Sequence, residues 1–130
     1  MKKSAFILIL VGVAVTAIAR HITVGSFTSP AFNWTSQSHD FGQIKQGVPV
    51  SHEFTFVNNG TEPLIISSVK ASCGCTVADF SKDPIQSGAK GFVKATYNAS
   101  SIGSFNKTIT VIANTEEDNV VLTIRGTVAE

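Results

Sequence analysis

The sequence predicts an all-β domain, an immunoglobulin-like β-sandwich of about seven antiparallel strands preceded by an N-terminal signal segment. Three observations carry this reading. Apolar and polar residues alternate with a period of two through several short runs, as in strands buried on one face only. Gly, Pro, Asn and Asp separate those runs. No apolar stripe at i, i+3, i+4 and i+7 is long enough to make a helix.

The chain begins with the three parts of a secretory signal: Lys2 and Lys3, an unbroken apolar stretch from Ala5 to Val15, and a small-x-small pattern at Ala17-Ile18-Ala19. Residues 1–19 therefore read as a signal peptide, and the segment is short of the roughly 20 apolar residues that span a bilayer. Cleavage after Ala19 is expected to leave no stable membrane span, and the destination is periplasmic or secreted. Retention of the segment as an anchor is the alternative. What remains of the 130 residues is enough for one domain. Without Lys2 and Lys3 the formal charge of +1 falls to −1, which gives no footprint for nucleic acid.

Residues 20–35 read as a linker with a possible first strand near Phe32 to Trp34, and residues 36–130 as the sandwich. In His39-Asp40-Phe41-Gly42 the neighbouring His39 and Asp40 would point to opposite faces of a strand, so they are not expected to act as a catalytic pair. Phe41 is expected to be buried and Gly42 to turn the chain. From Val50 to Val57 the apolar Val50, Phe54 and Phe56 alternate with Ser51, Glu53 and Thr55, placing His52 on the apolar face. Asn58-Asn59-Gly60 is a tight-turn signal.

The next strand is expected near Pro63, with Ile65, Val69 and Ala71 on the core face and the same parity running on through Cys73, Cys75 and Val77. Asp79 to Gly88 reads as a loop. Alternation returns in Val93, Ala95 and Tyr97, in Phe105, Ile109 and Val111, and in Val120, Leu122, Ile124 and Val128. Burying residues such as Phe54, Phe56, Ile66, Ile109, Leu122 and Ile124 contributes roughly 1.5 to 3 kcal/mol each, so the domain needs no disulfide framework.

The chemical clue is Cys73-Gly74-Cys75, which holds both cysteines of the chain. In a strand, residues i and i+2 are about 6.6 Å apart, near the upper limit for bridged α-carbons, and a positive φ at Gly74 would draw them together. Four readings stay open: a structural bridge or two buried thiols, thiol-disulfide exchange with a partner, soft-metal binding of Cu(I) through Cys73 and Cys75 with His52 or His39, and an intermolecular cross-link. Finger-type zinc lacks its four ligands. The oxygen-rich Asn114 to Asn119 lacks the order of a calcium loop and reads as a solvated turn. Asn33, Asn59, Asn98 and Asn106 head N-x-S/T triplets, which matter only in a glycosylating host.

At these residues the chain resembles a secreted bacterial family of domains of unknown function, marked by a Cys-Gly-Cys motif and a Hydin-type immunoglobulin-like fold and common in Bacteroidetes-like envelopes. The resemblance lies in His39-Asp40-Phe41-Gly42-Gln43-Ile44, Phe54 to Gly60, Ser72 to Thr76, Gly88, Gly103 and Ile124-Arg125-Gly126-Thr127-Val128. It implies a seven-stranded sandwich outside the cytoplasm without an established activity, so no catalytic residues carry over. Ser87-Gly88 stands where the family often has Pro-Gly.

No GxSxG elbow, HExxH helix, P-loop or dinucleotide fingerprint is present. The expected function is that of a non-enzymatic binding or assembly module of the cell envelope, with a protein or glycan partner, no cofactor, no nucleic acid and no catalytic residues. The alternative is exchange or Cu(I) binding through Cys73, Gly74 and Cys75.

Overall fold

Alternating side chains can be buried only if a second sheet covers the apolar face of the first, and the chain does this with two sheets of four strands. A computed structural model describes residues 29–130; the signal segment expected at 1–19 lies outside them. The strands are β1 (Phe32–Trp34), β2 (Ser38–Lys45), β3 (Val50–Asn58), β4 (Ile66–Ala71), β5 (Thr76–Phe80), β6 (Lys90–Tyr97), β7 (Gly103–Ala113) and β8 (Val120–Ala129). One sheet has the order β1-β3-β6-β5 and the other β2-β8-β7-β4.

The inward faces are the ones the alternation picks out. Phe54 pairs with Val93 across β3 and β6, and Ile109 with Leu122 across β7 and β8. Phe54, Phe56, Val93, Ile109, Leu122 and Ile124 are all buried in one core, joined by Leu64 and Ile85, which pair through an isolated bridge.

Three expectations change. There are eight strands rather than about seven, and one pair is parallel: residues 38–45 form β2, which runs beside β8. Gly42, with φ +67°, does not end this strand but makes a bulge within it, because the left-handed region suits a residue without Cβ. Next, the run from Leu64 to Val77 is two strands in different sheets. A bulge at Ser67 shifts the register between Ile66 and Ser68, so Leu64 and Ile66 are buried while Ile65 is 45% exposed, and Val69 and Ala71 point inward beyond it. The turn at 72–75 shifts parity again, which buries Thr76 and leaves Val77 67% exposed. Last, Asp79 and Phe80 belong to β5 rather than to a loop.

The Asn58-Asn59-Gly60 turn is held by a buried side chain. Asn58 Nδ2 donates to the carbonyls of Glu62 at 2.7 Å and Ile85 at 2.9 Å, while Oδ1 accepts from Gly60 N at 3.0 Å and Ala31 N at 3.3 Å. One amide thus ties three segments together at a fully buried position. Asn58→Ala is expected to lower the unfolding free energy by about 2–3 kcal/mol, since it strands buried backbone partners. Urea unfolding of wild type and variant measures this, and a loss below about 0.5 kcal/mol would show that the network is dispensable.

Candidate functional site

The cysteines sit where the chain passes from the edge of one sheet to the edge of the other, since β4 and β5 are terminal strands of opposite sheets. Residues 72–75 make that crossing and are pinned at both ends. Ser72 N donates to Thr108 O at 2.9 Å and Ser72 Oγ accepts from Thr108 N at 3.1 Å, fixing the corner to β7. Cys75 O accepts from Asn98 N at 3.0 Å, fixing it to the end of β6.

Cys73 and Cys75 form a disulfide with their α-carbons 5.3 Å apart. This is shorter than the strand spacing of about 6.6 Å, because the two residues lie in a turn. Gly74 does not supply the bend expected of it: its φ is outside the left-handed region, and a Cβ there would meet nothing within 4 Å. Cys73 and Cys75 are both half-buried, and Cys75 packs against the core. The hydroxyl of the buried Thr76 lies 3.8 Å from Cys73 Sγ and 3.9 Å from Cys75 Sγ, within reach of either sulfur as a donor. By chain entropy, so short a loop stabilises the fold by only about 1.6 kcal/mol.

His52 stands on β3 and His39 on β2, in different sheets, yet their rings stack with centroids 3.8 Å apart and planes 6° from parallel. Each also meets a phenylalanine edge-on, His39 with Phe41 and His52 with Phe54. Burial holds His52 below the ordinary imidazole value, helped by the nearby His39 and opposed by Glu53. Among the described residues no three His, Cys, Asp or Glu side chains come close enough together to hold a metal ion, so Cys73, Cys75 and His52 do not assemble as a set. The histidine pair had no local signal, because its members are brought together only by the stacking of the sheets.

A further feature that local reading missed is the free edge of β5. Cys75 O and Ser81 N both bond toward β6, to Asn98 N and Phe92 O. Alternation along the ladder then turns the N–H and C=O groups of Ala78 and Phe80 away from β6, where no strand pairs with them among the described residues. Lys82 Nζ lies 3.4 Å from the centre of the Phe80 ring and 3.6 Å from Asp79 Oδ1. The oxygen-rich turn has structural work: Asn114 Oδ1 accepts from Ile65 N at 2.8 Å and Nδ2 donates to Pro63 O at 3.1 Å.

The chain belongs to the family described as protein of unknown function (DUF1573), whose model matches residues 32–128. No curated protein matches it. Among solved structures it is similar to a protein of unknown function from Porphyromonas gingivalis W83, with 17% identity and a TM-score of 0.69 over 83% of this chain and 51% of that one. It is also similar to PapD-like domain 7 of human CEP192, an ASH/PapD-like domain, with 11% identity and a TM-score of 0.66 over 79% of this chain and 88% of the other. A third is the VesB protease of Vibrio cholerae, with 16% identity and a TM-score of 0.58 over 78% of this chain and 32% of the protease. The chain spans about half the length of the P. gingivalis protein. At these identities the likeness establishes the fold, a PapD-like two-sheet sandwich.

The histidine pair has a consequence in acid. Because His52 binds its proton more weakly folded than unfolded, the unfolded chain takes up more protons as pH falls through about 6.5, and stability present above that value is lost below it. His52→Phe, which keeps a ring against Phe54, is expected to flatten the decline of Tm between about pH 7.5 and pH 5. Thermal unfolding across that range measures it; equal slopes for the two proteins would exclude His52 as the source.

Proposed function

We propose that this DUF1573 domain works outside the cytoplasm as a non-catalytic contact module of the cell envelope, capturing an extended segment of a partner protein along the free edge of β5. One observation carries the reading: Ala78 and Phe80 turn their backbone groups outward from an edge strand, beside a Val77 that is 67% exposed. An incoming strand would complete those hydrogen bonds, and one of its side chains would lie beside Val77. The exposed Asp79 and Lys82 at the far end are charges of the kind that keep edge strands from pairing with copies of themselves. The signal pattern of residues 2–19 supports the location, and the lack of any recognisable catalytic motif supports a role by contact.

The Cys73–Cys75 bridge favours a second reading, exchange with a partner dithiol. A partner thiolate would attack one sulfur, forming a mixed disulfide and releasing the other cysteine as a thiolate that Thr76 Oγ1 is placed to receive. The partner's second thiolate would then displace the first cysteine. Both cysteines end reduced and the partner's pair oxidised, with two electrons moved.

Each reading has its own test. Ala78→Pro removes an outward N–H without touching the β5–β6 ladder, so the variant is expected to keep the wild-type circular dichroism and to lose partners recovered from native envelope fractions. Capture that survives the substitution, or turnover of a substrate by the wild type, would sink the contact reading. For exchange, Cys73→Ser mixed with the partner in its disulfide form is expected to trap a mixed disulfide, the Cys75 thiolate displacing one partner thiolate with no second cysteine to complete the exchange, seen as a mass increase reversed by reductant. A wild-type bridge that resists excess dithiol, followed by alkylation and mass spectrometry, would rule exchange out.

A further inference from the structure

The bulge in β2 does more than bend a strand. Two residues of β2, Phe41 and Gly42, lie against one of β8, Gly126, so that Asp40 pairs with Arg125 and Gln43 with Thr127. Without the extra residue, positions 40 and 43 would point to opposite faces. β7 continues both rows, with Asn106 opposite Arg125 and Ser104 opposite Thr127. Six polar side chains thus form a grid of two rows across three strands, spaced about 4.8 Å between strands and about 6.6 Å along them. They line an open trough of about 560 Å³ on the outside of this sheet.

The floor of the trough depends on a glycine. A Cβ on Gly126 would sit 2.8 Å from Gly42 O and 2.9 Å from the Phe105 ring, so only glycine lets the bulge approach β8. Phe105 borders the trough through its place in β7, while its ring packs over Gly126 in the core. Asp40 is fixed from within: its Oδ1 accepts from Gly42 N at 2.8 Å, and its Oδ2 lies 3.5 Å from Arg125 Nε. Among the described residues, the side chains of Gln43, Ser104, Asn106 and Thr127 make no protein hydrogen bond. The trough therefore presents organised donors and acceptors that the fold itself does not use.

We propose that this trough binds a short neutral oligosaccharide. Arg125 and Asp40 set a donor beside an acceptor, the complement of a vicinal diol, in which one hydroxyl accepts from the guanidinium while its neighbour donates to the carboxylate. Gln43, Asn106, Ser104 and Thr127 each both donate and accept, as sugar hydroxyls require. An anion is disfavoured because the one cation lining the trough is already paired with a carboxylate. The volume falls within the range of about 300–1,000 Å³ typical of small-ligand sites. This site is separate from the β5 edge and does not depend on it.

The test is a titration of ¹⁵N-labelled protein, followed by amide and side-chain shifts, with disaccharides of glucose, galactose, mannose and N-acetylglucosamine and with inorganic phosphate. At least one disaccharide is expected to shift the Arg125, Thr127 and Asn106 signals saturably, with a Kd of about 10 mM or tighter. Arg125→Gln and Asn106→Ala are each expected to weaken it by about tenfold while the rest of the spectrum stays folded, and Ala78→Pro to leave it unchanged. Absence of saturable shifts with all the sugars, shifts that survive Arg125→Gln, or saturation by phosphate alone would overturn the proposal.

Discussion

Two sheets must bury their apolar faces against each other, and almost everything else in this domain follows from how the chain keeps changing sheets to achieve it. Five of the connections cross between them: β1 to β2, β2 to β3, β3 to β4, β4 to β5 and β6 to β7. Crossings carry backbone groups that have left a ladder and need other partners. The polar side chains with structural roles gather at these points. Asn58 holds the passage from β3 to β4, and Ser72 with Asn98 brackets the passage from β4 to β5. Two other crossings brace each other, with Gly47 N donating to Ala99 O at 2.9 Å and Gln46 Nε2 to Ser100 O at 3.1 Å.

Set beside those networks, the disulfide is a minor contributor to stability. It encloses one residue, so it removes little freedom from the unfolded chain, whereas each large core side chain contributes roughly 1.5 to 3 kcal/mol. The corner at 72–75 is already fixed by backbone and hydroxyl bonds that do not involve sulfur. The bridge sits in a half-exposed turn, and opening it would leave the ladders and core of the sandwich in place.

The sheets' inner faces were legible because alternation is a local property. Phe54 with Phe56, Val93 with Ala95, and Leu122 with Ile124 announce the buried side of β3, β6 and β8 without knowledge of their partners. Legibility failed wherever one extra residue interrupted the count. Ser67 turned Ile65 outward, the turn at Cys73 to Cys75 exchanged the roles of Thr76 and Val77, and Gly42 concealed a whole strand as though it were a turn. A parallel partner adds a second difficulty, since β2 and β8 lie at opposite ends of the sequence and no hairpin turn joins them. The Cys-Gly-Cys stretch was visible as chemistry, but its place at a sheet-switching corner was not. His39 and His52 each looked like a lone histidine, and only the closing of the sandwich stacks them.

The stretches His39 to Ile44 and Ile124 to Val128, read separately, look like two modest strand fragments. In the fold they are the two sides of one contact. Gly42 needs its left-handed φ to make the bulge; the bulge carries the Gly42 carbonyl toward β8; and that carbonyl, together with the Phe105 ring, leaves no room for a side chain at position 126. Asp40 locks the bulge through Gly42 N, and the same hydrogen bond is the main reason its carboxyl is held below the usual range, with Arg125 adding to it. Backbone geometry, packing and charge at this edge are therefore one coupled unit. A substitution at Gly126 would act on the Asp40 side through Gly42 without touching the carboxylate itself, which makes the polar face of this sheet a product of its glycines as much as of its charged side chains.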